Sequence, residues 1–568
     1  MVNGMDSLGL LLVRDDKRPA LEGVQSRSAA QGEEVNGIDP KNYLDPSGDL
    51  DDLQAQRWGV IVPEGKRGDE LLARVRPLIA KRAEDQGAEV AVMRVPNDAR
   101  CKTVTGAAEW SREFYDDQSG SQADIPLYQL ILGDLDEVPL AIQQFQSARH
   151  GRVGRLHFDA PDGYDAYVEK LLRWEKAEAR KQPARLVVHT AHDNSGALRT
   201  GHKGLIEPLI ELLENEQDKG RLRVSEVAVG GGDPFMPDPD GFLNDTESSE
   251  PGVLFSLSHG LGGPADGWRK EEDRRGRQGA MHFGSRDPVT GADLATRAFM
   301  PGGVWFMFAC YGAGTPDVSA YKHWLERLAK LGKVKSAGDV LSGLKGPKPF
   351  IAALPQRVLA NPKGPLAFYG HVDLAWTYSF QDGAKPSRKR PGQFFNVLEP
   401  MLRNPARVGV VPAVFGRTLG GTESELAGLY DEDEREGKAA ESAESVRRAE
   451  LWMERQDLAG YILLGDPAAR LPIAAPEKKK PAAGAFGGIL KPAEPASAPV
   501  ASRAPVAVSS GPAVDDDKLE EAICKAVIDD DDPAKLAKKL CLTLDDFNQR
   551  VKAYRDAGRA ALGMKPKS

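Results

Sequence analysis

Two apolar runs constrain this chain more than any other part of its sequence. Val253-Leu254-Phe255-Ser256-Leu257-Ser258-His259-Gly260 is the first, and Val304-Trp305-Phe306-Met307-Phe308-Ala309-Cys310-Tyr311-Gly312-Ala313-Gly314 is the second. Each is short, rich in β-branched and aromatic residues, and closed by glycine, which is the pattern of a strand buried on both faces. Strands of that kind pair in parallel sheets covered by helices, and such sheets build their sites at the carboxyl edge. Side by side, these two bring one imidazole and one thiol to the same edge.

The residue types suit nucleophilic catalysis. A thiol with an ordinary pKa near 8.5 attacks as thiolate, and a neighbouring imidazole both favours that form and carries the proton to the leaving group. Gly260 and Gly312 would leave room for a substrate backbone, and the amides of Gly260 and Cys310 would serve as an oxyanion hole. The histidine precedes the cysteine by about 50 residues, an order and spacing that match caspases and reverse papain-type enzymes.

Ser258-His259-Gly260 and Phe308-Ala309-Cys310-Tyr311-Gly312-Ala313-Gly314 resemble the catalytic strand ends of caspase-like (clan CD) cysteine peptidases, of the gingipain type in particular. Three further segments resemble that family in the same order: Tyr128 to Pro139, Gly154 to Glu175 and Tyr461 to Pro472. The likeness covers residues 55 to 475. It implies an α/β fold: a caspase-like, mainly parallel sheet flanked by helices on both faces, in two side-by-side subdomains. It also implies Cys310 as nucleophile, His259 as general acid/base and Asp193, in His189-Thr190-Ala191-His192-Asp193-Asn194, as the carboxylate that orients the imidazole. An Asx turn at a strand end is the plain alternative for Asp193. The acidic residue by which some gingipains choose basic substrates has no counterpart between Ser195 and Lys203, so arginine specificity is not implied.

The expected substrate cleft is lined by His192, Tyr311, Gly312, His371 and Trp376. The last two lie in Gly370-His371-Val372-Asp373-Leu374-Ala375-Trp376, which follows another buried run, and packing of Trp376 in the core is the competing reading. His189, His192 and His202 do not share a face at a metal-ligand spacing. No metal and no organic cofactor is expected.

Length and charge set the remaining bounds. With 568 residues, 41% hydrophobic and 28% charged, the chain has room for several domains and a large core. A net charge of −9 draws it to neither nucleic acid nor an anionic membrane. The N-terminal apolar run is too short for a signal peptide, and four widely spaced cysteines suit free thiols in a reducing cytoplasm.

Five regions follow from composition and periodicity. Residues 1–50 read as a loose N-terminal segment, 51–180 as an N-terminal α/β subdomain and 181–474 as the catalytic subdomain. Residues 475–514 read as a Pro/Ala-rich linker and 515–568 as a small all-helical module. That module has a helix-turn-helix outline but almost balanced charge, which favours a protein partner over DNA. The insertions 231–252 and 261–300 flank the histidine run and would wall the cleft. Within the second, Arg269 to Arg277 is a charge run with no apolar face to pack it down; it reads as an ordinary solvated loop or as a gate over Cys310. The sequence thus points to a cytoplasmic cysteine endopeptidase acting on protein substrates, with a regulatory task such as bacterial defence or cell death. The alternatives are a catalytically silent peptidase-fold scaffold or a helix-turn-helix-linked regulator.

Overall fold

The computed structural model describes residues 7–8, 12–14, 24–25 and 51–473, apart from 118–125, 151, 177–182, 233–235, 265–266, 333–336, 344–347, 382–388, 404–405 and 437–442. The linker and the C-terminal helical module expected from the sequence lie outside the described residues.

Ten strands form one sheet: β1 Trp58–Pro63, β2 Ala91–Val95, β3 Tyr128–Leu132, β4 Arg152–Leu156, β5 Ala184–Thr190, β6 Val224–Gly230, β7 Gly252–Leu257, β8 Val304–Phe308, β9 Ala367–His371 and β10 Tyr461–Leu464. Their order is β2-β1-β3-β4-β10-β9-β8-β7-β5-β6. Neighbours are parallel except β9 and β10, which pair antiparallel. The chain is therefore an α/β protein with a mainly parallel sheet. β1, β3, β7, β8 and β9 are buried along their whole length, as strands covered on both faces must be. The two edge strands, β2 and β6, carry exposed residues instead.

The apolar runs become strands because nothing in them can be solvated without loss. Phe255 stacks on Phe306 at 5.1 Å, and Phe306 on Tyr369 at 5.8 Å, so three adjacent strands carry an aromatic row through the core. The indole N–H of Trp305 donates to Ser256 Oγ at 2.9 Å, satisfying the polar atoms of both buried side chains.

Two helical readings change. A single helix from Asp69 to Gln86 is expected from periodicity. The chain makes Lys66–Arg74 and Arg76–Gln86 with Val75 between them at φ −100°, ψ 12°. Pro77 at the start of the second helix removes the amide that would continue the first. A charged helix at 431–455 is expected, whereas the helices run Val410–Glu436 and Ala443–Ala459. Among the described residues no helix is long and apolar enough to cross a membrane.

Candidate active site

The register of the sheet decides where the reactive side chains emerge. Leu257 of β7 lies opposite Phe308 of β8, so His259 and Cys310 each follow a paired residue by two positions at the same strand ends. The Ser258 amide donates to the Phe308 carbonyl at 3.1 Å, carrying the pairing one residue further. A Cβ on Gly260 would fall 1.8 Å from the Cys310 carbonyl oxygen. Gly260 is thus required by close approach of the two strand ends, and the room it leaves is filled by Cys310 itself, not by a substrate backbone. Gly312 is under no comparable constraint, its nearest neighbour being Met307 Sδ at 3.4 Å. Tyr311, between them, has φ +57°, a left-handed conformation that non-glycine residues adopt only when the surroundings impose it.

His259 is fully buried, and its Nε2 faces the segment that follows β5. Ser195 Oγ lies 2.9 Å from it and Asp193 Oδ2 3.5 Å from it. Asp193 does two things at once. Its Oδ1 accepts the Ser195 amide at 2.8 Å, closing an Asx turn, while Oδ2 addresses the imidazole. The turn places Ser195 at the start of helix Gly196–Gly201, where its hydroxyl also accepts the Leu198 amide. Burial alone would raise the Asp193 carboxyl. The charge of His259, with the nearby His282 imidazole and the hydrogen bond from the Ser195 amide, outweighs it and holds the group well below the usual carboxylate range.

His282, from the connection between β7 and β8, completes this side. Its amide donates to the His259 carbonyl at 3.1 Å, and its Nδ1 lies 3.7 Å from Asp193 Oδ2. Ser195 and His282 are not among the residues that the sequence singles out. Asp193-Asn194-Ser195 before Gly196 is a turn and helix-start signal that points to Ser195, but nothing local marks His282.

Cys310 is also fully buried, and its thiol turns the other way, toward the segment after β9. The Ala375 amide donates to Sγ at 3.2 Å, and the Ala375 carbonyl lies 3.6 Å from it. Burial pushes the thiol well above its ordinary value, and Asp457 and Asp373 add to the effect.

That segment is held from below. The Asp457 carboxylate, near the end of helix Ala443–Ala459, accepts the Trp376 amide at 2.8 Å and the Ser379 amide at 3.0 Å. His371 Nε2 faces the Asp457 carbonyl at 3.0 Å, and His371 Nδ1 accepts the Asp373 amide at 3.0 Å. Burial pushes Asp457 up to about 8 and Asp373 to about 6, and lowers His371 to about 4. Three titratable groups near Cys310 thus have values displaced by burial, and Asp457 is displaced far enough to keep its proton at neutral pH.

The expected cleft residues fall in different places. His371 and Trp376 do not reach solvent. Trp376 packs edge-on against Trp324 at 5.3 Å, because an indole beside two aromatic neighbours gains more from contact than from exposure. His192 is 4% exposed, with its ring 4.9 Å from that of His202. Tyr311 and Gly312 are buried beside Cys310. His189 turns away from His192 and packs on Phe242 at 4.9 Å, so the three histidines near β5 do not converge.

Among the described residues, Asp134, His157 and Asp159 are placed so that a cation could bridge them. Arg275 already does so: its Nη2 donates to Asp134 Oδ2 at 2.6 Å and to Asp159 Oδ1 at 3.0 Å. Here the charge run 269–277 departs from expectation in part: it forms helix Glu271–Arg277, in which Arg274 is packed down while Arg269, Lys270, Glu272, Asp273, Gly276 and Arg277 stay exposed. Arg274 is 1% exposed, and the Arg274 and Arg275 guanidinium groups lie 5.1 and 5.0 Å from the Phe350 ring. Arginine stems and flat guanidinium faces supply the apolar contact that aliphatic residues supply elsewhere.

No known family's model matches the sequence, and no curated protein matches it. Solved structures with a similar arrangement include a protease (13% identity, TM-score 0.41, 73% of this chain and 78% of that one). The Arg-specific cysteine proteinase gingipain R is a second (13%, 0.39, 76% and 80%). A complex of the pro- and mature domains of RgpB from Porphyromonas gingivalis is a third (14%, 0.39, 74% and 80%). Identities and scores this low assign neither a family nor an activity to this chain.

Proposed function

We propose that the chain is a cysteine endopeptidase in which Cys310 is the nucleophile, His259 the general acid/base and Asp193 the group that orients the imidazole. The observation that carries this reading is the pairing of Leu257 with Phe308, which delivers His259 and Cys310 to neighbouring strand ends with Asp193 on the far side of the imidazole. With Nε2 turned to Asp193 and Ser195, proton transfer falls to Nδ1. Sγ attacks the scissile carbonyl carbon, the C–N bond breaks, and the departing amine takes its proton from His259. Water then hydrolyses the thioester, releasing the acid and restoring the thiol. The amides of Gly260 and Cys310 hold the oxyanion. For attack, Ala375 must withdraw from Sγ, so the geometry described is a resting one. The setting we propose is the reducing interior of a cell, with protein substrates and a regulatory task. Residues 515–568 recruit a protein partner, and neither metal nor organic cofactor takes part.

The burial of the thiol favours a second reading, in which the fold is kept as a silent scaffold. The two are separated by incubating the purified chain with a peptide library beside Cys310→Ala and His259→Ala. Each substitution is expected to lower hydrolysis about a thousandfold or more, and the double variant to be no worse than either single one. Hydrolysis that survives Cys310→Ala sinks the assignment. A wild-type chain that neither hydrolyses any peptide nor reacts with iodoacetamide at Cys310 supports the scaffold.

A further inference from the structure

Immediately after His259 the chain forms a short strand, Gly260–Gly263. One of its edges is paired within the same connection: the Leu261 amide donates to the Ala280 carbonyl at 3.0 Å, and the Gly279 amide to the Leu261 carbonyl at 2.9 Å. The other edge is covered from far away in sequence. Leu12–Arg14 runs parallel to it, with Leu12 opposite Gly260, Val13 opposite Leu261 and Arg14 opposite Gly263. The N-terminal strand therefore lies against the residue that follows the histidine and touches the backbone of Cys310.

Three of the four residues in that strand are glycine, so it offers a partner main-chain groups and very little side-chain selection. A strand edge of this kind accepts an extended peptide by adding it to the ladder. Leu261 directs both of its main-chain groups to the 279–281 side, so the alternate Gly260 directs its own toward Leu12–Arg14. The pairing spans three residues, and each net hydrogen bond contributes only about 0.5–1.5 kcal/mol. A contact this short can be exchanged for another of the same chemistry.

We propose that the edge of Gly260–Gly263 is a main-chain docking site for an extended peptide, and that Leu12–Arg14 is its resident occupant, held in cis beside His259 until a substrate segment replaces it. The word substrate rests on the peptidase reading; the docking site does not.

The test uses the full-length chain on a Cys310→Ala background, so that binding is read without turnover. Successive residues of a strand point their amides to opposite edges, so a Leu12→Pro/Val13→Pro variant removes the donor facing Gly260–Gly263 whichever residue supplies it. Hydrogen exchange of the Gly260 amide, which faces Leu12–Arg14, should accelerate at least tenfold in that variant, while the Leu261 amide, bonded to Ala280, should not change. A fluorescent peptide of residues 7–17 should bind the variant at least tenfold more tightly than it binds the parent, and the same peptide carrying the two prolines should not bind. Unchanged exchange, or equal binding to parent and variant, overturns the proposal. Should the proline variant fail to fold, Val13→Cys/Leu261→Cys gives a second measurement. Oxidation should lock the strand and exclude the labelled peptide, reductant should readmit it, and binding indifferent to the lock overturns the proposal. If wild-type protein hydrolyses no peptide while these binding results hold, the peptidase reading fails and the docking site stands.

Discussion

Two buried polar clusters in this molecule obey opposite rules. Beside β1, Arg82 is 1% exposed and meets its charge in full: Nε and Nη2 donate to Asp466 at 2.9 and 2.6 Å, Nη2 to Glu175 at 2.5 Å and Nη1 to Asp85 at 2.7 Å. The Trp58 indole donates to the other Asp466 oxygen at 2.9 Å. Beside Cys310, Asp457 and Asp373 are buried just as deeply, but their described partners are amides and hydroxyls, and the nearest imidazole, His371, is held neutral by burial. In the first cluster ions are kept as ions by opposite charge. In the second, desolvation wins and pushes carboxyl and thiol values up and imidazole values down. The contrast sets the neighbourhood of Cys310 apart from a purely structural cluster, as perturbed groups at a candidate site are set apart.

The contrast is broken most forcibly at Arg82. Arg82→Ala leaves Asp466, which is fully buried, without its cation, and removing one partner of a buried pair costs about 3–5 kcal/mol. Urea unfolding should show that loss, while the alkylation rate of Cys310 in the molecules that remain folded stays unchanged. A change in thiol reactivity would mean that the two clusters are coupled and the distinction is false.

Part of this was open to sequence reasoning and part was not. The strands carrying His259 and Cys310 were legible because a run such as Val304 to Phe308 has no soluble face in any arrangement. Asp193 was legible as an Asx turn or as a histidine partner, and it is placed for both. Ser195 and His282 were harder, since each acts through a contact with a residue distant in sequence. The helix Val410–Glu436 was hidden by Gly416, Gly420, Gly421 and Gly428, which weaken local helical preference that tertiary packing then overrides. The fate of Trp376 depended on Trp324 being at hand, and the pairing of Leu12–Arg14 depended on a free edge far along the chain.

The second cluster is tested by pH. Asp457 has a folded value of about 8, above its unfolded one, so the folded chain keeps a proton that the unfolded chain has lost, and stability falls as pH rises through that window. Asp373, raised to about 6, acts in the same sense but at lower pH. His371, lowered to about 4, acts in the opposite sense: it adds stability as pH rises from about 4 to the ordinary histidine value near 6.5. Between about pH 6.5 and 8 Asp457 is left as the main term of the three, and the expected decline is on the order of 2 kcal/mol. Urea midpoints at the two ends of that range should fall for wild type and stay level for Asp457→Asn. Equal slopes in the two proteins would show that Asp457 is ionised in the folded state after all, paired like Asp466.

The smallest expected effect belongs to Arg275, which lies between the two extremes. Like Arg82 it pairs two carboxylates, Asp134 and Asp159, but Asp159 is exposed and Asp134 retains the amides of Leu135 and Ile351 at 2.9 and 2.7 Å. Losing the cation therefore leaves Asp134 hydrogen-bonded, and Arg275→Ala should cost only about 1–2 kcal/mol. Its consequence is local. Arg275 fastens helix Glu271–Arg277, in the connection between β7 and β8, to the turns after β3 and β4. Without it, limited proteolysis should cut within 269–277 well before the rest of residues 51–473, with global unfolding scarcely changed. If the segment stays resistant, Arg274 alone holds it, through Gln278 and the Phe350 ring, and the ion pairs with Asp134 and Asp159 are surface contacts that add little.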